Sequence, residues 1–324
     1  MIAGLLIALL ALVLASVLDY RRFQTQRRRV EQSFLRLDLP WGALPYVDVG
    51  PRDGPVVLVC TGGGAGIDSV AALDELTEAG YRLIAVCRPG YYDVPLTAAP
   101  TLADHADLYH AVISALELGA VHVFGLSAGG PSALYYAARY PTRSLVLWSA
   151  VTGPYVPNRE SMETPLGRLV LAKRGQALVS WSLWRFARWM PRTTMTTFLR
   201  AEATLDRKEI ARVIDETLRD RRDRDRFKTF VASTTPMSKL YSGMMDEIDK
   251  MGAEWAPDWA SIQAPTLAVG SPVDKDVSYD HLERIRARLP NAQIMSVRAG
   301  GHFVWWGREG REVLAATLAH FGRS

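Results

Sequence analysis

Gly125-Leu126-Ser127-Ala128-Gly129 stands between an apolar run, Ala120-Val121-His122-Val123-Phe124, and a helix-forming stretch from Pro131 to Tyr140. The run before it is short, β-branched and aromatic, which predicts a buried strand. The stretch after it has proline in its first turn and helix formers behind. A strand-to-helix turn this tight puts the central serine at backbone angles that are costly for a residue with a Cβ. It also needs very small neighbours so that adjacent chain can pass, and Gly125 and Gly129 meet that need. Such a nucleophile elbow sets Ser127 Oγ clear of the carboxyl edge of a sheet. There it lies beside a helix N-terminus whose N–H groups favour developing negative charge.

A serine hydroxyl is a poor nucleophile at neutral pH, so the reading requires a base, an acid to orient it and donors for an oxyanion. Five of the six histidines fall inside stretches that read as regular elements: His105, His110, His122, His281 and His320. His302 differs. It follows the strand-like Ala292–Val297 through Arg298-Ala299-Gly300-Gly301 and precedes a helix starting near Arg308, which predicts a mobile, glycine-hinged loop. The acid is expected just after the strand Pro265–Gly270, where Asp274 is the first choice and Asp276 the alternative. The loop after Ser144–Trp148, another place for the acid, carries no carboxylate. Val56–Cys60 reads as a strand running into Thr61-Gly62-Gly63-Gly64-Ala65-Gly66. With no Gly-Lys-Ser/Thr ending, this loop is a poor phosphate cradle. The N–H of Gly63 or Gly64, with that of Ala128, is the natural oxyanion hole.

From about residue 35 to its end the chain resembles the α/β-hydrolase superfamily. Tyr81–Tyr91, ending in Arg88-Pro89-Gly90-Tyr91, is similar to its strand and "RPGY" turn, and Gly129–Leu134 to the helix behind its serine. The resemblance implies a mostly parallel α/β sheet flanked by helices, with a Ser127–His302–Asp274 triad and no metal or organic cofactor. Thr61 departs from the pattern, because many members place there a histidine that braces the oxyanion loop. Members that open epoxides or cleave carbon–halogen bonds carry aspartate at the elbow, so Ser127 argues against those reactions.

With 324 residues and 48% apolar content, the chain can bury one large core. The strand-like segments, residues 31–152 and 258–324, bracket an insertion over 153–257 that reads as a helical lid. Within the insertion Leu169-Val170-Leu171 and Ala177–Met190 are apolar around most of a helix, and Trp181, Trp184 and Trp189 are candidate walls of a substrate pocket. Arg219–Arg226 alternates in sign and predicts a solvated helix face rather than a nucleic-acid-binding stripe. Cys60 and Cys87 are too few for a disulfide framework and read as core residues.

Ile2 through Leu18 is uncharged and, as a helix at about 1.5 Å per residue, extends roughly 26 Å, a little under the ~30 Å of a hydrocarbon core. Residues 1–30 hold five arginines and one aspartate, so the whole net charge of +4 lies there. Arginines after rather than before the apolar run predict an uncleaved single-pass anchor with the enzyme in the cytoplasm. A cleaved secretory signal is the alternative. The combined expectation is a membrane-tethered serine hydrolase acting on a lipophilic small-molecule ester. Thioesterase, lactonase, amidase or cofactor-free peroxidase chemistry is open to the same triad. A non-catalytic, membrane-bound lipid-binding or interaction protein is the reading from another class.

Overall fold

The computed structural model describes residues 2–157 and 175–323. They fall into two units, Met1–Phe34 and Leu35–Ser324.

The first unit is one helix, α1 (Ile2–Gln32). The uncharged run stops at Leu18, while the helix continues through Asp19, Arg21, Arg22 and Arg27. A spanning helix needs about 20 consecutive apolar residues, and any such window here takes in charge. Among the described residues no helix is long and apolar enough to cross a membrane. The expected single-pass anchor is therefore overturned, and the cytoplasmic placement argued from it falls with it.

The second unit is built on an eight-stranded sheet in the order β1-β2-β4-β3-β5-β6-β7-β8. Its strands are β1 (Leu35–Leu39), β2 (Gly42–Val49), β3 (Val56–Cys60), β4 (Arg82–Val86), β5 (Val121–Leu126), β6 (Thr142–Trp148), β7 (Thr266–Gly270) and β8 (Gln293–Ser296). β1 and β2 form an antiparallel edge, and every pair from β4 to β8 is parallel. The parallel strands read as near-continuous apolar runs because helices cover both faces of such a sheet. Leu126, Trp148 and Val269 lie in register across β5, β6 and β7, so the loops that follow these strands leave from one carboxyl edge. Open α/β sheets bind ligands at that edge.

Helices α2 (Asp74–Glu78), α3 (Leu102–Ala115) and α4 (Gly130–Arg139) connect the first parallel strands. α3 starts on a capping box in which Thr101 and Asp104 satisfy each other's backbone N–H. Between β6 and β7 come α5 (Gln176–Trp189), α6 (Pro191–Glu202), α7 (Arg207–Arg219), α8 (Arg221–Ser233) and α9 (Tyr241–Gly252); α10 (Asp280–Arg288) and α11 (Gly307–Phe321) complete the fold. Leu169-Val170-Leu171 lies outside the described residues.

The alternating-charge stretch is solvated at Arg219–Arg222 and Asp225, as expected, but it is divided between two helices. Asp220 ends α7 and caps α8, accepting from the N–H groups of Arg222 and Asp223. Arg226 is mostly buried and pairs with Asp74, Glu75 and Asp223. Cys60 and Cys87 are free and buried, as expected of core residues.

Helices α6, α7 and α8 seat the loop after β8. Met195, Leu199, Ile210, Val213, Ile214, Phe227 and Val231 form a buried cluster with Phe303 and Trp306, whose rings stack at 4.1 Å. Burying a side chain of this size stabilises by about 1.5–3 kcal/mol, so the cluster fixes the residues next to His302.

Candidate active site

β5 runs straight into the elbow. Ser127 has φ 49°, in the left-handed region that costs a side-chain-bearing residue energy, and Val151 N–H donates to its carbonyl. The small neighbours are obligatory. A Cβ on Gly125 would lie 2.7 Å from Ala133 Cβ, and one on Gly129 would fall inside the carbonyl of Cys60 at the end of β3.

The loop after β3 lies against this turn. A Cβ on Gly62 would touch Ser127 Cβ at 3.6 Å, and one on Gly63 would meet Ala128 Cβ at 3.2 Å. The Gly64 N–H is committed elsewhere, donating to the Tyr91 hydroxyl at 3.1 Å. Of the two glycines expected as alternatives, Gly63 is the one beside Ala128.

His302 is buried in the glycine-containing loop expected to carry it, and the Gly300–Phe303 bridge closes the chain around it. Its Nδ1 lies 2.9 Å from Asp274 Oδ2. Asp274 Oδ1 accepts from the N–H groups of Asp276 and Val277, both at 2.9 Å, so the carboxylate is pinned from its other side. Asp276 takes a different place, with Oδ2 3.9 Å from His302 Nε2 and Oδ1 accepting from the Tyr155 hydroxyl at 2.5 Å. The two candidate acids thus address different nitrogens of one ring.

A third carboxylate, not foreseen from the sequence, joins them. Ala203 bridges to Asp274, and the carbonyl of Glu202 accepts from the N–H groups of Lys275 and His302. This lays the end of α6 between the acid loop and the histidine loop. Burial pushes the Glu202 carboxyl up to about 7, with Asp276 and Asp274 adding to the rise and His302 opposing it. Burial likewise raises Asp276, against His302 and the Tyr155 hydroxyl. For His302 burial pulls downward, but the charge and hydrogen bond of Asp274, then Asp276 and Glu202, outweigh it and lift the imidazole to about 10.

Tyr155 connects this group to the elbow. It packs with Leu102, Ala128, Val151, Met251 and Val277 in an apolar cluster, while its hydroxyl reaches Asp276. Of the expected pocket walls, Trp184 is buried with Arg188 over its ring, and Arg185 covers Trp181. Trp189 is 76% exposed and lines a surface groove with Arg188, Asp225, Lys228 and Thr229. The other five histidines lie where the sequence puts them, in α3, β5, α10 and α11.

A model of the alpha/beta hydrolase family matches residues 56–316, which includes the elbow, the glycine loop and both loops around the imidazole. The chain belongs to the alpha/beta hydrolase family. Among the similar proteins, the Bacillus subtilis protein named uncharacterized hydrolase YcgS is 26% identical over 298 residues, covering 88% of this chain and 96% of the relative. The 2-hydroxy-6-oxononadienedioate/2-hydroxy-6-oxononatrienedioate hydrolase of Escherichia coli is 25% identical over 294 residues, covering 88% and 93%. An alpha/beta hydrolase fold protein from Nakamurella multipartita superposes with a TM-score of 0.78 at 27% identity, covering 89% of this chain and 98% of that one. The resemblance read from the sequence is thus borne out for family and fold.

Proposed function

We propose that this hydrolase is a serine esterase that cleaves a carboxylic ester with an apolar acyl portion through an acyl-enzyme intermediate. The observation that carries the reading is the buried His302–Asp274 contact at 2.9 Å, at the sheet edge from which Ser127 projects in its left-handed turn. In this scheme Ser127 Oγ attacks the ester carbonyl, His302 accepts its proton and returns it to the leaving alcohol, and Asp274 holds the imidazole. Gly63 and Ala128 N–H groups take the oxyanion. A water activated by His302 then releases the acid. The apolar group around Tyr155, Val151 and Val277, next to Ala128, favours an uncharged, lipophilic acyl chain. The helices between β6 and β7 act as the lid.

The Escherichia coli relative is named for a dioate, a doubly charged substrate. Asp276, with Oδ2 3.9 Å from His302 Nε2, would repel a carboxylate placed there, which favours a neutral ester for this chain. Labelling with a fluorophosphonate probe tests the assignment. The wild type is expected to label and Ser127→Ala is not; equal labelling of the two would overturn it.

A further inference from the structure

Thr61 leaves the glycine loop without the histidine brace implied by the family resemblance, and the "RPGY" turn has no part in the reaction proposed above. The two facts meet in one buried network. Arg88, Tyr91 and Glu247 are each about 2% exposed, and Glu247 belongs to α9, outside the sheet. Arg88 Nη2 donates to the carbonyl of Gly62 at 2.7 Å, and its Nη1 lies 2.9 Å from Glu247 Oε1. The Tyr91 hydroxyl donates to Glu247 Oε2 at 2.7 Å and accepts from the N–H of Gly64 at 3.1 Å. The guanidinium also lies 4.4 Å from the centre of the Tyr91 ring. One carboxylate therefore holds two side chains that grip the peptide groups on either side of Gly63.

We propose that Glu247, through Arg88 and Tyr91, is a positioning residue that aims the Gly63 N–H into the oxyanion hole, so that the seating of α9 completes the catalytic loop. This rests on the serine-esterase reading. A peptide plane fixed at both neighbours cannot rotate its N–H away, and an oxyanion donor acts only if it points at the developing charge before reaction.

One contact that seats α9 is backbone on backbone. Gly243 N–H donates to the Gly90 carbonyl at 3.0 Å, and a Cβ on Gly243 would fall inside the Tyr91 ring. The end of α8 and Met244 of α9 also touch the glycine loop. The Gly66 N–H donates to the Ser233 carbonyl at 2.9 Å, and a Cβ on Gly64 would lie 3.1 Å from Met244 Sδ. A helix that only covered the site would not need its partner's backbone at van der Waals distance.

Three variants test this: Tyr91→Phe, which removes one hydroxyl and keeps the ring; Glu247→Gln, which keeps shape and removes charge; and Gly243→Ala, which displaces the ring from the α9 side. Thermal melting selects those that fold. With 4-nitrophenyl butanoate, Tyr91→Phe is expected to lower kcat about tenfold with KM within twofold, less than the about 10²–10³ for deleting a donor outright. Affinity for butylboronic acid, whose serine adduct places an oxygen in the hole, should fall by the same factor. Combining Tyr91→Phe with Gly243→Ala should cost no more than the worse single change, because both act on one contact. Glu247→Gln is expected to lower kcat and boronate affinity in the same direction, and unchanged values of both in a folded Tyr91→Phe or a folded Glu247→Gln would overturn the proposal.

Amide hydrogen exchange over residues 61–66 reads the same strut without turnover. Faster exchange in Tyr91→Phe is expected, and no change would refute the strut by itself. If the wild type neither labels with fluorophosphonate nor hydrolyses ester, the esterase reading fails while the exchange result still decides the strut.

Discussion

At the elbow, Ser127 is held by backbone packed on backbone: β3 passes so close to Gly129 that a methyl group has no room. On the histidine side, His302 sits among Asp274, Asp276, Glu202 and the Tyr155 hydroxyl, and its state depends on where protons reside. The first arrangement is steric and indifferent to pH. The second is electrostatic and changes with it. A substitution at the elbow should therefore act through stability and geometry, and one at the histidine through protonation, which gives the comparison its tests.

The largest expected effect separates the two acids. Asp274→Asn leaves the ring in place but removes the charge on Nδ1, and kcat should fall on the order of 10⁴-fold. Asp276→Asn, acting on the other nitrogen, should leave the plateau rate within a few-fold. Steady-state kinetics of the two purified variants against a 4-nitrophenyl ester decides the matter. A larger loss for Asp276→Asn would reverse the roles.

Next in size is a steric change at the elbow. Gly129→Ala drives a methyl group into the Cys60 carbonyl, and the backbone must yield. Overpacking of this kind costs about 1–3 kcal/mol or more, so urea titration should show a clearly lower midpoint with an unchanged slope. Because no titrating group is touched, the pH dependence of whatever activity survives should match the wild type. A displaced profile would mean that elbow and histidine are not separate in the way described.

The same division explains what was legible in the sequence. Ser127, Asp274 and His302 each follow a strand at its carboxyl end, so local pattern and chain order located them. The parallel strands were legible for a related reason, since burial on both faces leaves continuous apolar runs such as Val56–Cys60. The edge pair β1–β2 leaves a weaker mark, although Leu35–Leu39 alternates in polarity. Pro45 in β2 weakens that strand's signal, and it is accommodated because its carbonyl still accepts from Cys87 N–H.

Glu202, Tyr155 and Glu247 carry no local mark. Glu202 matters because the end of α6 is bridged to the acid loop, and Glu247 because two glycines let α9 approach the β4 turn. Both depend on tertiary docking between segments far apart in sequence. The N-terminal expectation failed for a simpler reason: the uncharged run ends at Leu18, short of the about 20 apolar residues a span needs.

The smallest expected effect is the most specific to the histidine side. To accept a proton from Ser127, His302 must be neutral, yet its neighbours lift it from an ordinary 6.5 to about 10. The acid limb of kcat/KM for the wild type should therefore lie well above pH 6.5. Removing the charge at Asp276 or Glu202 takes away part of what favours the imidazolium, so Asp276→Asn and Glu202→Gln should each move the limb to lower pH. A neighbouring opposite charge is worth about 1–3 pH units. At pH values below the wild-type limb, these variants are thus expected to turn over faster than the parent, about tenfold for every pH unit by which the limb moves, while their alkaline plateaus stay close to it. Lys275, whose charge lowers the Glu202 carboxyl, is kept in both variants. Stability should follow with the opposite sign. A histidine raised on folding contributes stability that is fully present below about 6.5 and is lost as pH rises through about 10. The wild type should then lose more of its melting temperature across that window than Asp276→Asn does. Superimposable kcat/KM profiles for all three proteins would show that Asp274 alone sets the imidazole, and the electrostatic account of the histidine side would be wrong.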